Sequence, residues 1–264
     1  FVDVFIKLKE DPGKMPLDLV RKAGIRDARR KYDLLSGSVP LSKLAQLNRD
    51  PQVVSVEAPE QIRFSPPLDV TPGVDAPIGS SRRIADAPQV EKAVLIGIVD
   101  VQGFDFAHPD FLDPGGKTRF YRIWDQGGDS HPAPPAFKYG AEITQAHMNA
   151  AIQAASDPAI GVAATQLEPQ SQMVPGSHGT HVASIAGGNF GVCPKAVLAG
   201  VLISLPEEDL DRRKSFYDSS RIAHAVDYLL RLGKQLKLPV SINISLGTNG
   251  HAHDGSSLTS RWLD

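Results

Sequence analysis

Three strand-like runs in the second part of the chain constrain its fold more than any other feature. Residues 93–99 and 196–203 are continuous apolar runs, and residues 240–246 are predicted as a third buried strand. Continuous apolar runs are typical of parallel strands covered on both faces. Residues 219–236 lie between the second and third runs and have helical apolar spacing. Strands that alternate with helices predict an α/β fold with a parallel sheet, whose functional groups gather at the carboxyl ends of the strands.

The first 63 residues have a different pattern. They predict a strand at residues 1–8, a helix at 17–23, two short strands around Ser36-Gly37, a helix after Pro40 and a strand at 53–56. This order, β-α-β-β-α-β, predicts a small α+β unit. Residues 64–89 are rich in proline and have the composition of a linker. We therefore expect one domain at residues 1–63, a linker at 64–89 and a second domain at 90–264.

Composition excludes several classes of function. The chain has 264 residues, a formal net charge of −2 and a pI of about 6.5, which do not favour nucleic acid or an anionic membrane as the partner. No run is long and apolar enough to span a bilayer. The single cysteine, Cys193, can form no internal disulfide. It is predicted to be a small buried residue, with a redox role as the alternative.

Asp100 stands at the carboxyl end of the first buried strand. A carboxylate there is poorly solvated and costs free energy unless it accepts hydrogen bonds. An aspartate that orients a catalytic imidazole occupies such a position. The alternative is a helix N-cap or a turn residue.

His178 lies in the segment Gly176-Ser-His-Gly-Thr-His181, which opens a helix rich in small residues. A histidine at a helix start can project its ring into a cleft. Helix N-termini disfavour imidazolium, so such a ring needs a carboxylate partner if it is to hold a proton. His178 and His181 could also share a helical face as a metal pair, but no third ligand stands near them in the sequence.

The strand at residues 240–246 leads into Ser245-Leu-Gly247. Such a segment can offer backbone donors and acceptors to an extended peptide. The alternative is a core strand that simply ends at glycine.

Together and in this order, these segments resemble the subtilisin-like (subtilase) family of serine peptidases, in its bacterial form. The family shows a strand ending in Asp, then His-Gly-Thr-His-Val-Ala, then Gly-Val-Ala-Pro, then a Ser-Leu-Gly strand. Here the third motif reads Gly191-Val-Cys-Pro194. The match covers roughly residues 84 to 264.

The resemblance implies roles for five residues. Asp100 would orient His178, which would act as the general base. Ser245, Leu246 and Gly247 would line the substrate groove for a peptide or protein. Residues 1–63 are similar to the family's ferredoxin-like propeptide, its intramolecular chaperone and inhibitor. A propeptide favours an extracytoplasmic or secreted location.

No cofactor or metal is expected. Structural calcium occurs in the family, but the sequence offers no complete set of oxygen ligands for it. His251-Ala-His-Asp254 could bind zinc, although a polar loop at the edge of the cleft explains it as well.

The family's nucleophile motif, Gly-Thr-Ser-x-Ala-x-Pro, is absent from residues 1–264, as is the segment that carries the oxyanion-hole asparagine. Ser256 and Ser257 imitate the nucleophile only loosely. We expect this chain to supply the Asp and His of a triad to a complementary C-terminal peptidase fragment that carries the serine. The alternatives are a catalytically inactive subtilase-derived peptide-binding or regulatory protein, and an inhibitor-like role for the N-terminal unit.

Three further departures from the family concern single positions. Asp100-Val-Gln-Gly103 carries one residue more than the usual Asp-x-Gly, so the adjoining loop is expected to be reshaped. Ser184 replaces a usual glycine in the helix that follows His178. Cys193 replaces a usual alanine.

Overall fold

The computed structural model describes residues 1–59, 62–63, 93–173, 176–203, 219–248 and 254–264. The first unit consists of β1 (Val2–Leu8), α1 (Leu17–Ala23), β2 (Arg26–Lys31), β3 (Leu34–Val39), α2 (Leu44–Asn48) and β4 (Val53–Glu57). Its four strands form an antiparallel sheet in the order β2-β3-β1-β4. β5 (Ile62–Arg63) follows.

Side chains alternate across β1, and this alternation gives the first unit two faces. Val4, Ile6 and Leu8 join a core with buried residues of α1 and α2. Phe5 lies on the opposite face and is 1% exposed. The alternation of a strand explains the division, because successive side chains point to opposite sides of a sheet.

The hairpin between β2 and β3 turns at a different place from the one predicted. The pairing of Lys31 with Leu34 leaves Tyr32 and Asp33 as the turn, and Tyr32 has a positive φ of 52°. Gly37, predicted at the turn, lies inside β3. A Cβ there would stand 2.6 Å from Ile25 Cγ2, so the glycine serves a close approach within the sheet.

The larger unit is built on a five-stranded sheet. Its strands are β6 (Leu95–Asp100), β7 (Phe120–Asp125), β8 (Ala141–Thr144), β9 (Val197–Leu202) and β10 (Val240–Ile244). They are ordered β10-β6-β9-β7-β8, with the first four parallel and β8 antiparallel. The predicted α/β class with a parallel sheet is confirmed.

Helices cover both faces of this sheet. They are α3 (Gln145–Ala155), α4 (Ala164–Leu167), α5 (His178–Gly187) and α6 (Ser219–Leu236). Ile96 and Ile98 of β6 pack in one cluster with Met148 of α3 and Ala183 of α5. Leu95 and Val99 pack in a second cluster, which includes Leu229 of α6. All six residues of β6 are buried as a result.

Helix α3 follows directly after a strand, because residues 141–144 form β8. Thr144 ends β8 and caps α3: its Oγ1 accepts the His147 backbone N–H at 3.3 Å. In return, His147 Nδ1 accepts the Thr144 backbone N–H at 3.2 Å. This reciprocal capping box fixes the helix start.

Strand β10 is at the edge of the sheet and is not fully buried, contrary to the prediction. Ser241 and Asn243 are exposed, and the alternate residues are half-buried. Only β6 pairs with β10 among the described strands, so its second edge lacks a strand partner there. β11 (Gly247–Thr248) and α7 (Leu258–Leu263) complete the described elements.

The two units meet through a small apolar cluster. Phe5 and Leu34 of the first unit pack with Ala223 of α6 and with Leu258 and Trp262 of α7. The ring centroids of Phe5 and Trp262 are 5.8 Å apart. Among the described residues, no helix has the length and apolar character needed to cross a membrane.

Candidate active site

Asp100 is the last residue of β6 and is fully buried. Its Oδ1 accepts the backbone N–H of Gln102 at 2.9 Å. Its Oδ2 lies 2.7 Å from Nδ1 of His178. Both carboxylate oxygens therefore have partners, which offsets the cost of removing the charge from water.

His178 is the first residue of α5. Its side chain is 23% exposed, whereas the side chain of Asp100 is 0% exposed. An ionised carboxylate can only accept hydrogen bonds, so the hydrogen between the two groups belongs to Nδ1. The neutral ring then carries its lone pair on Nε2, the nitrogen that a general base uses.

The loop after Asp100 holds the start of α5 in place. Gln102 Oε1 accepts the backbone N–H of His178 at 2.7 Å. Ser177 Oγ donates to the carbonyl oxygen of Gly103 at 2.5 Å. These bonds satisfy groups at the helix start and fix the ring of His178 relative to the strand that carries Asp100.

Gly179 is required because the start of α5 lies very close to the loop after Asp100. A Cβ at this position would lie 2.6 Å from the carbonyl oxygen of Gln102 and 3.0 Å from that of Gly103. One position further on, Thr180 Oγ1 accepts the backbone N–H of Asp105 at 2.8 Å. Residues 177–180 and 102–105 are therefore packed backbone against backbone.

A second layer supports this loop. Gln170 is buried, and its side chain bonds both backbone groups of Phe104: Oε1 accepts its N–H at 2.9 Å and Nε2 donates to its carbonyl at 2.8 Å. The backbone N–H of Gly103 donates to the carbonyl of Gln172 at 2.9 Å. The roles of Gln102 and Gln170 could not be predicted from the sequence. Glutamine has no motif of its own, and only the fold brings these segments together.

Three positions at which the sequence departs from the subtilase pattern lie in or beside helix α5. The lengthened loop after Asp100 contains Gln102, whose side chain bonds α5. Ser184 Oγ donates to Asp110 Oδ2 at 2.5 Å and so links α5 to the segment after β6. Cys193 is half-buried, rather than fully buried, and packs against the core.

Ser245 and Leu246 are half-buried and follow directly after β10. Because Ile244 is in register with Val99, they leave the sheet at the end where Asp100 lies. Ser245 Oγ donates to Asn243 Oδ1 at 2.5 Å. Gly247 pairs with Arg63 of β5 in an antiparallel arrangement, so the segment already binds an extended piece of chain.

Ser257, one of the two imitations of a nucleophile, is the N-cap of α7. Its Oγ accepts the backbone N–H of Ser260 at 3.1 Å. The backbone N–H of Ser256 donates to Asp254 Oδ1 at 2.9 Å. His251 and His253 lie outside the described residues.

One group of side chains could hold a metal ion. His131, His147 and Glu168 place potential ligand atoms within 4.8 Å of one another. No other group of three such residues meets this condition in the part of the chain that the structure describes. The site contains neither Asp100 nor His178, and His181 is exposed.

Comparison with known proteins gives matches in structure only. No protein-family model matches the chain. No curated protein matches it either. The structure of the Clostridium perfringens CspB protease matches with 26% identity and a TM-score of 0.50, over 64% of this chain and 32% of that one.

Fervidolysin from Fervidobacterium pennivorans, described as a keratinolytic enzyme related to subtilisin, matches with 15% identity and a TM-score of 0.49. That match covers 99% of this chain and 37% of fervidolysin. The chain thus spans about a third of the length of each of these two proteins. The likeness to the CspB protease shows that the matched part of the chain has a protease-like α/β fold.

Proposed function

We propose that the chain is the N-terminal part of a subtilisin-type serine endopeptidase and supplies two of its three catalytic residues. The observation that carries the proposal is the 2.7 Å contact between His178 Nδ1 and the fully buried carboxylate of Asp100. A buried carboxylate that fixes the tautomer of a partly exposed imidazole is the arrangement needed to activate a serine hydroxyl.

In this mechanism, His178 Nε2 takes the proton from the serine hydroxyl as its oxygen attacks the carbonyl carbon of the peptide. The protonated ring, stabilised by Asp100, then gives that proton to the leaving amine as the carbon–nitrogen bond breaks. The same nitrogen then takes a proton from the water that attacks the acyl carbon, and it returns this proton to the serine oxygen as the acyl–oxygen bond breaks. No cofactor takes part in this proposal.

The serine would come from a complementary C-terminal peptidase part. Strand β10 supports this proposal, because its second edge is unpaired among the described strands and its Ser241 and Asn243 are exposed. An unpaired edge on a parallel sheet is suited to receive a further strand. The half-burial of Val240, Ile242 and Ile244 is consistent with apolar surface that a further element would cover.

The substrate would be an extended peptide bound along Ser245, Leu246 and Gly247. The pairing of Gly247 and Thr248 with Arg63 and Ile62 supports this role, since it shows the backbone of this segment accepting an antiparallel strand. Because β5 follows directly after the first unit, residues 1–63 fit the role of a propeptide-like domain with its tail in the groove. We further propose an extracytoplasmic or secreted location, as for an exported protease precursor.

The test uses material isolated from its natural source through this chain, with all polypeptides that accompany it. The material is treated with a fluorophosphonate probe and analysed by denaturing mass spectrometry. We expect one labelled polypeptide that carries a serine in a Gly-Thr-Ser sequence, and we expect labelling to fail in the His178→Ala variant. An unlabelled chain with no serine-bearing companion would instead favour the inactive peptide-binding or regulatory protein.

A further inference from the structure

We propose that His131, His147 and Glu168 form a binding site for one divalent transition-metal ion of the Zn²⁺ type. The three side chains come from different segments: the loop between β7 and β8, the first turn of α3 and the residue that follows α4. Two imidazoles and one carboxylate are ligands that Zn²⁺ commonly takes from proteins, with water in the remaining position. The site is independent of the proposed peptidase chemistry.

The distances between the potential ligand atoms are close to those around a bound zinc ion. His131 Nε2 lies 2.7 Å from Glu168 Oε1. The three ligand atoms lie within 4.8 Å of one another. Ligand atoms around a tetrahedral Zn²⁺ stand roughly 3.3 Å apart, given bonds of about 2.0–2.1 Å. The ligand atoms therefore need to move by no more than about 1.5 Å, which rotation of the side chains can supply.

The surroundings also favour an ion. Glu168 is 8% exposed, and a carboxylate removed from water is stabilised by a nearby cation. The rings of His131 and His147 are stacked, with centroids 4.0 Å apart and planes 12° from parallel. This stacking holds the two imidazoles side by side next to Glu168.

Binding requires each ring to present a lone pair. The hydrogen between His131 Nε2 and the Glu168 carboxylate must move to Nδ1 of the ring, and the metal ion takes its place between the two atoms. His147 now accepts the Thr144 N–H through Nδ1 at 3.2 Å. If it binds through Nε2, this long hydrogen bond is given up, and the stronger metal–ligand bond replaces it.

The consequence of binding would be structural. Glu168 stands two residues before Gln170, whose side chain holds the backbone of Phe104 beside the loop that follows Asp100. An ion at the site would therefore join α3, the loop between β7 and β8 and the segment that supports the candidate active site. We expect Zn²⁺ to raise the thermal unfolding midpoint of the chain.

The test is calorimetric titration of the full chain, stripped of metal by chelation, with ZnCl₂. His147→Gln is the main variant, because glutamine at this position can still accept the Thr144 N–H in a capping box while it is a poor zinc ligand. Glu168→Gln is the second. We expect one Zn²⁺ per wild-type chain, and affinity at least ~10-fold weaker in each variant, since even outer-sphere losses typically cost ~10–100-fold.

Two histidine-to-glutamine controls separate this site from other candidates. His181→Gln removes an exposed histidine of α5, and His253→Gln removes the zinc alternative seen in the sequence. Both should bind Zn²⁺ as the wild type does. Circular dichroism of the metal-free variants checks that they fold. The proposal is overturned if Zn²⁺ does not bind, if both main variants bind it with wild-type affinity, or if His253→Gln alone abolishes binding.

Discussion

Asp100 and His224 are both buried ionisable residues, but they differ in how many of their side-chain polar atoms have hydrogen-bond partners. Asp100 has a partner at each carboxylate oxygen. His224 Nδ1 lies 2.8 Å from the Tyr139 hydroxyl, whereas its Nε2 has no hydrogen-bond partner within the described ranges. Burial, together with the positive charges of Arg29 and Arg221, places the pKa of His224 well below its ordinary value.

The depressed pKa of His224 predicts acid sensitivity. The unfolded chain binds this proton more readily than the native one does. The contribution of the neutral His224 ring to the free energy of unfolding is therefore fully present above about pH 6.5 and is lost as the pH drops below it. The slope is at most about 1.4 kcal/mol per pH unit. Urea unfolding between pH 8 and pH 5 measures it.

The matched variant is His224→Gln, which retains an acceptor for the Tyr139 hydroxyl but does not titrate. Its free energy of unfolding should depend less on pH over that interval than that of the wild type. Equal slopes for the two proteins would show that His224 does not carry the effect.

Single residues also show what the sequence could and could not reveal. The contact between Asp100 and His178 could be predicted, because each residue stands at a fixed place in a motif. Gln102 and Gln170 could not, since each bonds a backbone group that is distant in sequence. The proposed metal site could not be predicted for the same reason: His131, His147 and Glu168 have no motif spacing, and three separate segments bring them together.

Secondary-structure elements were predicted well where burial alone determines the pattern. β6 and β9 are buried on both faces, and their apolar runs mark them clearly. β8 was missed because its four residues run directly into the capped start of α3. The burial of β10 was overestimated, because Ser241 and Asn243 alternate with apolar residues as they do in a strand with one open face.

The close packing of helix α5 predicts how a substitution at Gly179 changes stability. Alanine normally stabilises a helix relative to glycine by about 1 kcal/mol. Here the added Cβ would lie 2.6 Å from the carbonyl oxygen of Gln102, so Gly179→Ala should instead destabilise by about 1–3 kcal/mol. Urea unfolding at neutral pH measures the change.

His181→Ala is the control on the same helix, because His181 is exposed. Its effect should stay within about 0.5 kcal/mol. A Gly179→Ala protein more stable than the wild type would contradict the close packing of α5 against the loop after Asp100.

At the scale of the whole molecule, the face of the first sheet that carries Phe5 packs against α6 and α7. The sequence predicted the unit but not its docking surface, which depends on Phe5 meeting Trp262 from the far end of the chain. Polar contacts surround this cluster: Lys31 Nζ donates to the Trp262 carbonyl at 2.5 Å, and Arg261 pairs with Asp33 at 3.3 Å.

Phe5→Ala should weaken this docking while leaving the core of the first unit in place, because Val4, Ile6 and Leu8 point to the other face. The loss of a buried phenylalanine costs about 3–5 kcal/mol. We expect faster amide hydrogen exchange in α7, with little change in β6. Val54→Ala, at a side chain 53% exposed, is the control and should leave α7 unchanged. Unaltered exchange in the Phe5 variant would argue against the docked arrangement.

The central claim is that Asp100 orients His178 for peptide-bond hydrolysis. The most direct test is kcat for peptide cleavage by the assembled protein, with its serine-bearing part, in the wild type, Asp100→Asn and Asp113→Asn. Asp113 is exposed and accepts backbone N–H bonds that asparagine can also accept, so its variant should cleave at close to the wild-type rate. The account predicts a loss of about 10⁴-fold in kcat for Asp100→Asn, because the ring then takes the wrong tautomer. Cleavage by Asp100→Asn at the wild-type rate would contradict it.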